Sequence, residues 1–337
     1  MRTLAITGAA GFLGQRIVAL ARPDFDHVVA IDMAPVPAAD GVTPVVADIT
    51  VPGALDACFA GVDTVMHAAA VVDVRPRPDP RMQAVNVEGT RNVVEACLRA
   101  GVPHLVHTST FDVSFDGAPK RDADESLPYP SQPANQYIRS KIEAERLVLA
   151  ANAPPRLAAC SLRPTGIYGP GDRHRIEALA RLVKSGELAL RFGDGTSVSD
   201  HVYVDNVAHA HVLAARALRA PGNPVAGQAY FVGDHPTGNF YTFLDTFFAA
   251  SGTRIPDRAI PFGLALALGA VTEWTHALLH PILPSFNPML SRYTVRSVAQ
   301  DLTFSYARAT RDFGYRPIVP LDEAVRRTVE WVRTAGI

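Results

Sequence analysis

Tyr137 and Lys141 stand four residues apart in a stretch, Asn135–Ala151, whose pattern predicts a helix. Both side chains then fall on one face, the lysine one turn beyond the tyrosine. A phenol of ordinary pKa ~10 is a poor base at neutral pH, but an ammonium beside it favours the phenolate and draws that value down. Such a pair suits the movement of a proton to or from a secondary alcohol while a nicotinamide carries the hydride. Taken alone the spacing is common, and a surface tyrosine beside a solvated lysine explains most such pairs. A third group must hold the reacting oxygen, and His107-Thr108-Ser109-Thr110 offers hydroxyls. Strand alternation puts Thr108 and Thr110 on one face and Ser109 on the other. Thr110 is the favoured candidate, against the alternative of a strand-end hydroxyl capping backbone.

The context of a glycine run strengthens this reading. Gly8-Ala9-Ala10-Gly11-Phe12-Leu13-Gly14 follows a predicted strand and opens a predicted helix. Its glycines let backbone approach a pyrophosphate while the helix N-terminus supplies amide donors. Asp32, at the tip of the next strand, can accept hydrogen bonds from ribose hydroxyls. A 2′-phosphate there would meet like charge, and Met33-Ala34-Pro35 offers no arginine, so NAD is favoured over NADP. Asp48 ends Val45-Val46-Ala47-Asp48-Ile49, where it could meet an adenine amino group or be a solvated strand-end cap.

These groups need a scaffold, and the first half supplies the pattern of one. Predicted strands at Thr3–Thr7, His27–Asp32, Thr43–Ala47, Asp63–His67 and His104–Thr108 alternate with predicted helices at Phe12–Ala21, Gly53–Ala60, Pro80–Ala100 and Asn135–Ala151. Beyond Ala151 come a strand at Ala158–Arg163, a Gly/Pro-rich loop at Gly166–Asp172, a helix at His174–Gly186 and another opening at Asp205. The expected class is α/β: a Rossmann doubly wound parallel sheet with a smaller, mostly C-terminal substrate-binding domain. Residues 1–170 with roughly 195–235 would hold the dinucleotide, and roughly 171–194 with 236–337 would cover the substrate.

The 337 residues, 48% hydrophobic and 19% charged, are ample for that arrangement. A net charge of −1 provides no field to attract nucleic acid or an acidic membrane. Cys58, Cys97 and Cys160 are far apart and lack metal-ligand spacing, which fits buried thiols in a reducing compartment. The N-terminal apolar stretch runs directly into the glycine motif, so a cytoplasmic protein is expected. His209 and His211, two apart on a helix, point in different directions, and no metal is expected. The stretch Val74-Arg75-Pro76-Arg77-Pro78 reads most simply as a solvated loop, with a place near the cofactor or substrate mouth as the alternative, since it follows the fourth strand.

Together the motifs resemble the extended short-chain dehydrogenase/reductase superfamily over nearly the whole chain. Besides the glycine run they include His67-Ala68-Ala69-Ala70, Asn86-Val87-Glu88-Gly89-Thr90, Leu162 to Gly171 and Tyr203-Val204-Asp205-Asn206-Val207-Ala208. Asp124-Glu125-Ser126-Leu127-Pro128-Tyr129, Asp312-Phe313-Gly314-Tyr315-Arg316-Pro317 and the terminal helix Leu321–Trp331 look most like the 3β-hydroxysteroid dehydrogenase/isomerase family and its bacterial relatives that reduce 3-keto lipids. The resemblance implies Tyr137 as acid/base, Lys141 as its activator and a ribose ligand, and Thr110 at a Ser/Thr position usually filled by serine. It implies a place near the active site for Asn86, whose amide could order water or backbone. Ile49, Ala68 and Ala69 would join the cofactor contacts, and Pro164 and Ile167 would pass the nicotinamide amide. It also implies a homodimer, pairing the long helix ending near Ala100 with the tyrosine-bearing one.

Nucleotide-sugar epimerases and dehydratases share such a first half, and many carry an arginine that grips the substrate diphosphate. Gly195 to His201 contains none and adds Asp200. A hydrophobic small-molecule substrate is expected instead, with the epimerase/dehydratase reading and a non-catalytic dinucleotide sensor as alternatives. Ala259 to Thr272 is uncharged, and apolar character resumes after Glu273 through Leu283. Its unbroken length falls short of the ~20 residues that span a bilayer, and Pro261, Glu273, Pro281 and Pro284 oppose spanning. A lid over an oily pocket, a surface dipping into a membrane and a buried core helix are the three readings. No second acid/base group for an isomerase step stands out.

Overall fold

The structure is a computed structural model that describes every residue except 78, 187, 189, 223, 235–237, 284 and 285. Pro78 of the arginine-rich loop and Pro284 of the apolar segment lie outside the described residues.

The first half comprises β1 (Thr3–Thr7), α1 (Phe12–Ala21), β2 (His27–Asp32), β3 (Val42–Val46), β4 (Thr64–His67), α2 (Thr90–Ala100), β5 (His104–Thr108), β6 (Lys120–Ala123), α3 (Gln136–Ala150) and β7 (Ala158–Pro164). Next come β8 (Gly166–Tyr168), α4 (Ala178–Lys184), β9 (Arg191–Phe192), β10 (Val198–Ser199), β11 (His201–Tyr203), α5 (Val204–Arg219) and β12 (Ala229–Val232). The chain ends with β13 (Gly238–Asn239), α6 (Phe240–Phe248), β14 (Ala259–Ile260), α7 (Phe262–Leu279), α8 (Arg292–Ala299), β15 (Leu302–Phe304), α9 (Ala307–Phe313) and α10 (Leu321–Ala335).

Seven strands form one parallel sheet in the order β12-β7-β5-β4-β1-β2-β3. Strands of such a sheet must be apolar on both faces, and β1 shows why. Leu4 and Ile6 enter the core shared with α1 and α5, while Ala5 enters the core shared with α2 and α3. The winding reverses between β1 and β4, paired at Ile6 and Met66, and a crevice opens beyond their carboxyl ends. The expected α/β class is what the chain forms. The remaining strands make a four-stranded sheet, β13-β10-β15-β6, and two-stranded pairs β11-β8 and β14-β9.

Some expected elements differ. Residues 53–60 form successive turns rather than a helix, with i→i+3 bonds from Ala54 to Val51 and Asp56 to Gly53. Gly53 and Gly61 bracket the segment at φ +80° and +71°, and buried Leu55 and Phe59 pin it. The long helix expected at 80–100 begins as a π-helical stretch, Met82–Gly89, before α2, which Gly101 ends at φ +69°. The helix expected at 174–186 likewise opens as a π turn, Arg173–Glu177, before α4. The third strand lies one residue earlier than expected.

Candidate active site

The glycine run occupies the turn between β1 and α1. A Cβ at Gly8, φ +78°, would lie 2.6 Å from Ala69 N, and one at Gly14 would lie 1.9 Å from Gly8 O. Backbone therefore packs on backbone here, and the N-terminus of α1, capped at Gly11 with no side chain covering it, faces the crevice. Phe12 and Leu13 form its first turn. Asp32 stands beside the turn, accepting Ala10 N–H at 3.0 Å and Ala34 N–H at 2.9 Å. Ala68 and Ala69 follow β4, Ala68 N bonding Thr7 O, and so border the same crevice. These residues fit a dinucleotide: the cradle has no room for a Cβ, and donors and a carboxylate stand where diphosphate and ribose need them. Asp48 is partly engaged, its Oδ1 accepting both Thr50 N–H and Thr50 Oγ1–H at 2.8 Å, while Ile49 is buried against Gly89.

Asn135 N-caps α3 by accepting Ile138 N–H at 2.9 Å, and this sets the phase that buries both Tyr137 and Lys141. Lys141 Nζ donates to Thr108 O at 2.7 Å and lies 3.4 Å from His107 Nε2. Burial draws the ammonium down to about 8 against the attraction of Glu145 one turn on. Glu145 in turn is locked by Arg163 at 2.6 Å and by Tyr129 Oη at 2.7 Å. The expected effect on Tyr137 is reversed in the protein alone. Burial pushes its phenol upward, the charge of Asp112 adds to this, and only the Thr110 hydroxyl opposes them.

Thr108 and Thr110 do not share a set of partners. Thr108 Oγ1 meets His211 Nε2 on α5 at 2.7 Å, whereas Thr110 Oγ1 pairs with Asp112 and its hydroxyl acts to lower the Tyr137 phenol. Alternation fails because β5 ends at Thr108 and Thr110 caps a short 3₁₀ turn, Phe111–Ser114. The capping alternative is what the geometry shows: Thr110 Oγ1 accepts Asp112 N–H at 3.3 Å. Ser109 Oγ is buried and has no partner among the described residues.

Asn86 commits its amide to the Val71 backbone and the Ser140 side chain. Its Oδ1 accepts Val71 N–H at 2.7 Å, and its Nδ2 donates to Val71 O at 2.9 Å and Ser140 Oγ at 3.0 Å. It thereby ties the loop after β4 to α3 beside Tyr137. Pro164 ends β7, opposite Val232, and is strand rather than loop. Ile167 sits in β8 opposite Val202. His211 turns its other ring nitrogen to Val207 O at 2.8 Å.

Sequence reasoning missed a carboxyl at the centre of the site. Asp112 is 7% exposed, accepts Tyr293 Oη–H at 2.9 Å and Thr110 Oγ1–H at 3.1 Å, and burial lifts it to about 6. The available signal was an acid between apolar neighbours in Phe111-Asp112-Val113, two residues after Thr110. Missed too were His67 and His107, whose stacked rings are 5.6 Å apart beneath Lys141.

The apolar segment is α7, one continuous helix running through Glu273, which accepts from Arg292 N and Nε at 2.7 Å. It has the length and apolarity to cross a membrane, where the sequence had suggested a run broken at Glu273. It is not a buried core helix: only Ala265, Gly269 and His276 are buried, while Trp274 is 78% and Leu278 75% exposed.

A glycine cradle at the switch point of a parallel sheet, with a helical Tyr and Lys beneath it, defines a dinucleotide-dependent oxidoreductase of the extended short-chain dehydrogenase/reductase type. The chain belongs to the 3-beta hydroxysteroid dehydrogenase/isomerase family, whose sequence profile matches residues 5–263. It is 34% identical, over 98% of its length and 79% of the relative's, to 3beta-hydroxysteroid-dehydrogenase/decarboxylase isoform 1 of Arabidopsis thaliana. It is 32% identical to the 3-beta-hydroxysteroid dehydrogenase of Mycolicibacterium neoaurum, over 95% of this chain and 88% of that one. Among solved structures, MoeE5 in complex with UDP-glucuronic acid and NAD superposes with a TM-score of 0.74, at 26% identity and 99% coverage of both chains.

Proposed function

We propose that this protein reversibly oxidises a hydrophobic secondary alcohol, a 3β-hydroxysterol or 3-hydroxy lipid, to its ketone with NAD. The carrying observation is the convergence of Tyr137, Thr110 and buried Lys141 beside the glycine cradle. The family and the names of the relatives from Arabidopsis thaliana and Mycolicibacterium neoaurum support a sterol alcohol. When bound, NAD supplies the hydride acceptor. Gly8, Gly11 and Gly14 would admit its diphosphate to the start of α1, and Asp32 would accept from its ribose and disfavour a 2′-phosphate. Tyr137 takes the hydroxyl proton, Thr110 orients the reacting oxygen, and Lys141 holds positive charge beneath them. Asn86 fixes the relation of α3 to the loop after β4.

Incubation with NAD and panels of 3β-hydroxysterols and 3-hydroxyacyl lipids, read at the nicotinamide absorbance, tests this. Reduction of NAD by an apolar alcohol is expected; conversion of a UDP-sugar with every apolar alcohol inert would overturn it.

The reading extends to the division of labour and the surroundings. Residues 1–170 with about 195–235 serve the dinucleotide, and about 171–194 with 236–337 serve the substrate. A homodimer would pair α2 and α3, which lie side by side. The exposed apolar side chains of α7 support a peripheral membrane contact through 259–283. The three free thiols agree with a cytoplasmic setting.

A further inference from the structure

Arg175 stands in the π turn that precedes α4, where Glu177 N–H bonds back five residues to Asp172 O. Such turns are uncommon and recur at functional sites. This one borders the crevice: Gly171, just before it, packs on Phe12 of the dinucleotide cradle, its absent Cβ falling 3.6 Å from Phe12 Cδ2. The arginine side chain reaches back to Gly166, two residues beyond the end of β7, where a Cβ would lie 2.3 Å from Nη1. Gly166 pairs with His201 across β8 and β11 and is not among the glycines of positive φ. Its missing side chain therefore makes room for the guanidinium, not for a turn.

The seat supplies a hydrogen bond and aromatic walls but no counter-charge. Nη2 donates to His201 Nδ1 at 2.8 Å, and Cζ lies 5.8 Å from the centroid of the Phe240 ring. His201 stacks on Phe243, with centroids 3.8 Å apart. Because His201 accepts on Nδ1, its proton is on Nε2, toward Ser199 Oγ at 3.2 Å, and the ring is neutral. Asp172 commits its two oxygens to Arg175 N–H and Ile176 N–H at 2.9 and 3.4 Å. Asp200 turns to Phe304 N–H at 2.6 Å. Among the described residues no carboxylate oxygen comes within 4.0 Å of the guanidinium, and Nη1 is buried without a partner. A desolvated cation with idle N–H groups is expensive to hold, and an oxyanion brought from outside the chain would satisfy both needs.

We propose that Arg175 is a specificity residue that holds a singly charged oxyanion, a carboxylate, carried by the apolar alcohol at a distance from its reacting hydroxyl. The inference rests on the alcohol-oxidation reading above and narrows its substrate class to hydroxysteroid or hydroxy-lipid acids. The sheet sets the distance. Thr108, whose carbonyl holds Lys141, pairs with Leu162, and Gly166 lies four residues further on, at most ~13 Å along the chain. A sterol skeleton covers such a span with its hydroxyl at Tyr137 and its acid at Arg175. One guanidinium matches one charge; a diphosphate brings more, and Gly195 to His201 contains no second cation to meet it.

Matched probes on the full chain test this: a 3β-hydroxysteroid with a side-chain carboxylate, and its methyl ester. In NAD reduction, kcat/KM should be about 30-fold higher for the acid, with the difference in KM. Arg175→Gln should bring that ratio to about one, and Arg175→Lys, which keeps the charge but not the fork, should retain part of it. An arginine of purely structural role would lower both probes alike and leave the ratio in place. That result, or a parent protein with no preference for the acid, overturns the inference and leaves the alcohol reading standing. Gly166→Ala crowds Nη1 while keeping the arginine; it should lower the same ratio, and it replaces Arg175→Gln if that variant does not fold.

Calorimetry of the acid with the NADH-loaded protein gives a readout besides turnover, and binding should weaken at least about tenfold in Arg175→Gln. If neither probe is oxidised while the acid binds through Arg175, the alcohol reading falls and the anion site stands. UDP bound through Arg175 more tightly than the acid would overturn the singly charged class. NADH affinity that falls with Arg175→Gln as far as acid binding does would assign the guanidinium to the cofactor diphosphate and overturn the inference as well.

Discussion

Nζ of Lys141 lies 3.4 Å from Nε2 of His107, an imidazole that burial and the lysine's own charge hold far below its ordinary titration range. A neutral ring with its proton on Nδ1, directed at Ser161 Oγ 3.1 Å away, offers Lys141 an acceptor rather than a second charge. Two ammonium protons are thus committed, to His107 and to Thr108 O, which fixes the head group in its cavity.

His107→Gln, which retains an acceptor, should therefore keep activity within a few fold, whereas His107→Leu should lose about tenfold and move the Lys141 midpoint, near 8, further down. Tyr137→Phe should bind NADH as the parent does, read by nicotinamide fluorescence, and lose about 10²–10⁴ in turnover. Retained turnover in Tyr137→Phe would remove Tyr137 from the chemistry.

Gly14→Ala tests the cradle. The added methyl would sit 1.9 Å from Gly8 O, a backbone atom that cannot swing aside. A loss of about 1–3 kcal/mol is expected in urea unfolding, together with weakened NADH binding. Gly61→Ala, where nothing lies within 4 Å but φ is +71°, should cost less and leave NADH affinity intact.

Cofactor choice should turn on Asp32. Asp32→Ala combined with Met33→Arg removes the like charge and adds a phosphate partner, so the ratio of kcat/KM for NADP over NAD should rise by about 100-fold. No change in that ratio would remove Asp32 from the ribose site.

Stability should depend on pH through buried imidazoles. Burial lowers His67 to about 3 and His211 to about 4 from an ordinary 6.5, and lowers His107 as well. Below 6.5 the unfolded chain takes up protons that the folded chain refuses, so stability is full above that value and falls as pH drops toward 4. Asp112 acts in the opposite sense: its raised value means a penalty above pH 6 that eases on acidification. Glu125, Asp172 and Asp200 are raised by burial as Asp112 is, but His104, His201, His209 and His276 are lowered as well, so imidazoles outweigh carboxyls and acid brings a net loss. Urea midpoints measured from pH 8 to 4.5 should fall, and His211→Gln should flatten the curve.

The membrane reading of α7 has its own reporter, since the chain holds only two tryptophans. In a Trp331→Phe background, vesicles of zwitterionic lipid should shift Trp274 emission to the blue. Leu278→Glu should abolish the shift while leaving NADH binding unchanged. A Trp274 signal indifferent to lipid would remove the membrane contact.

How much of this could be read from residues alone depended on range. β1, β2, β5 and α1 were legible to the residue because apolar runs and glycines near in sequence decide them. The segment at 53–60 was misread because its apolar spacing suits a helix while Gly53 and Gly61 favour turns. Thr110 was favoured as the holder of the reacting oxygen by an alternation that stops at Thr108, and its position is set instead by the 3₁₀ turn it caps. Asp112 was invisible because its meaning comes from Tyr293, 181 positions away, and no local pattern announces a bond of that span. The exposure of α7 was equally hidden, since composition cannot say which apolar helix the fold leaves uncovered.

That helix is fastened at few places. Gly269 packs so closely on Ser291 and Arg292 that a Cβ would lie 2.9 Å from their backbone, and Glu273 grips Arg292. The next residue is Tyr293, whose hydroxyl rests on Asp112. α7 is thus a lever with its long arm at the surface and its short arm at the buried carboxyl of Asp112: a push on the helix reaches that carboxyl through two adjoining residues.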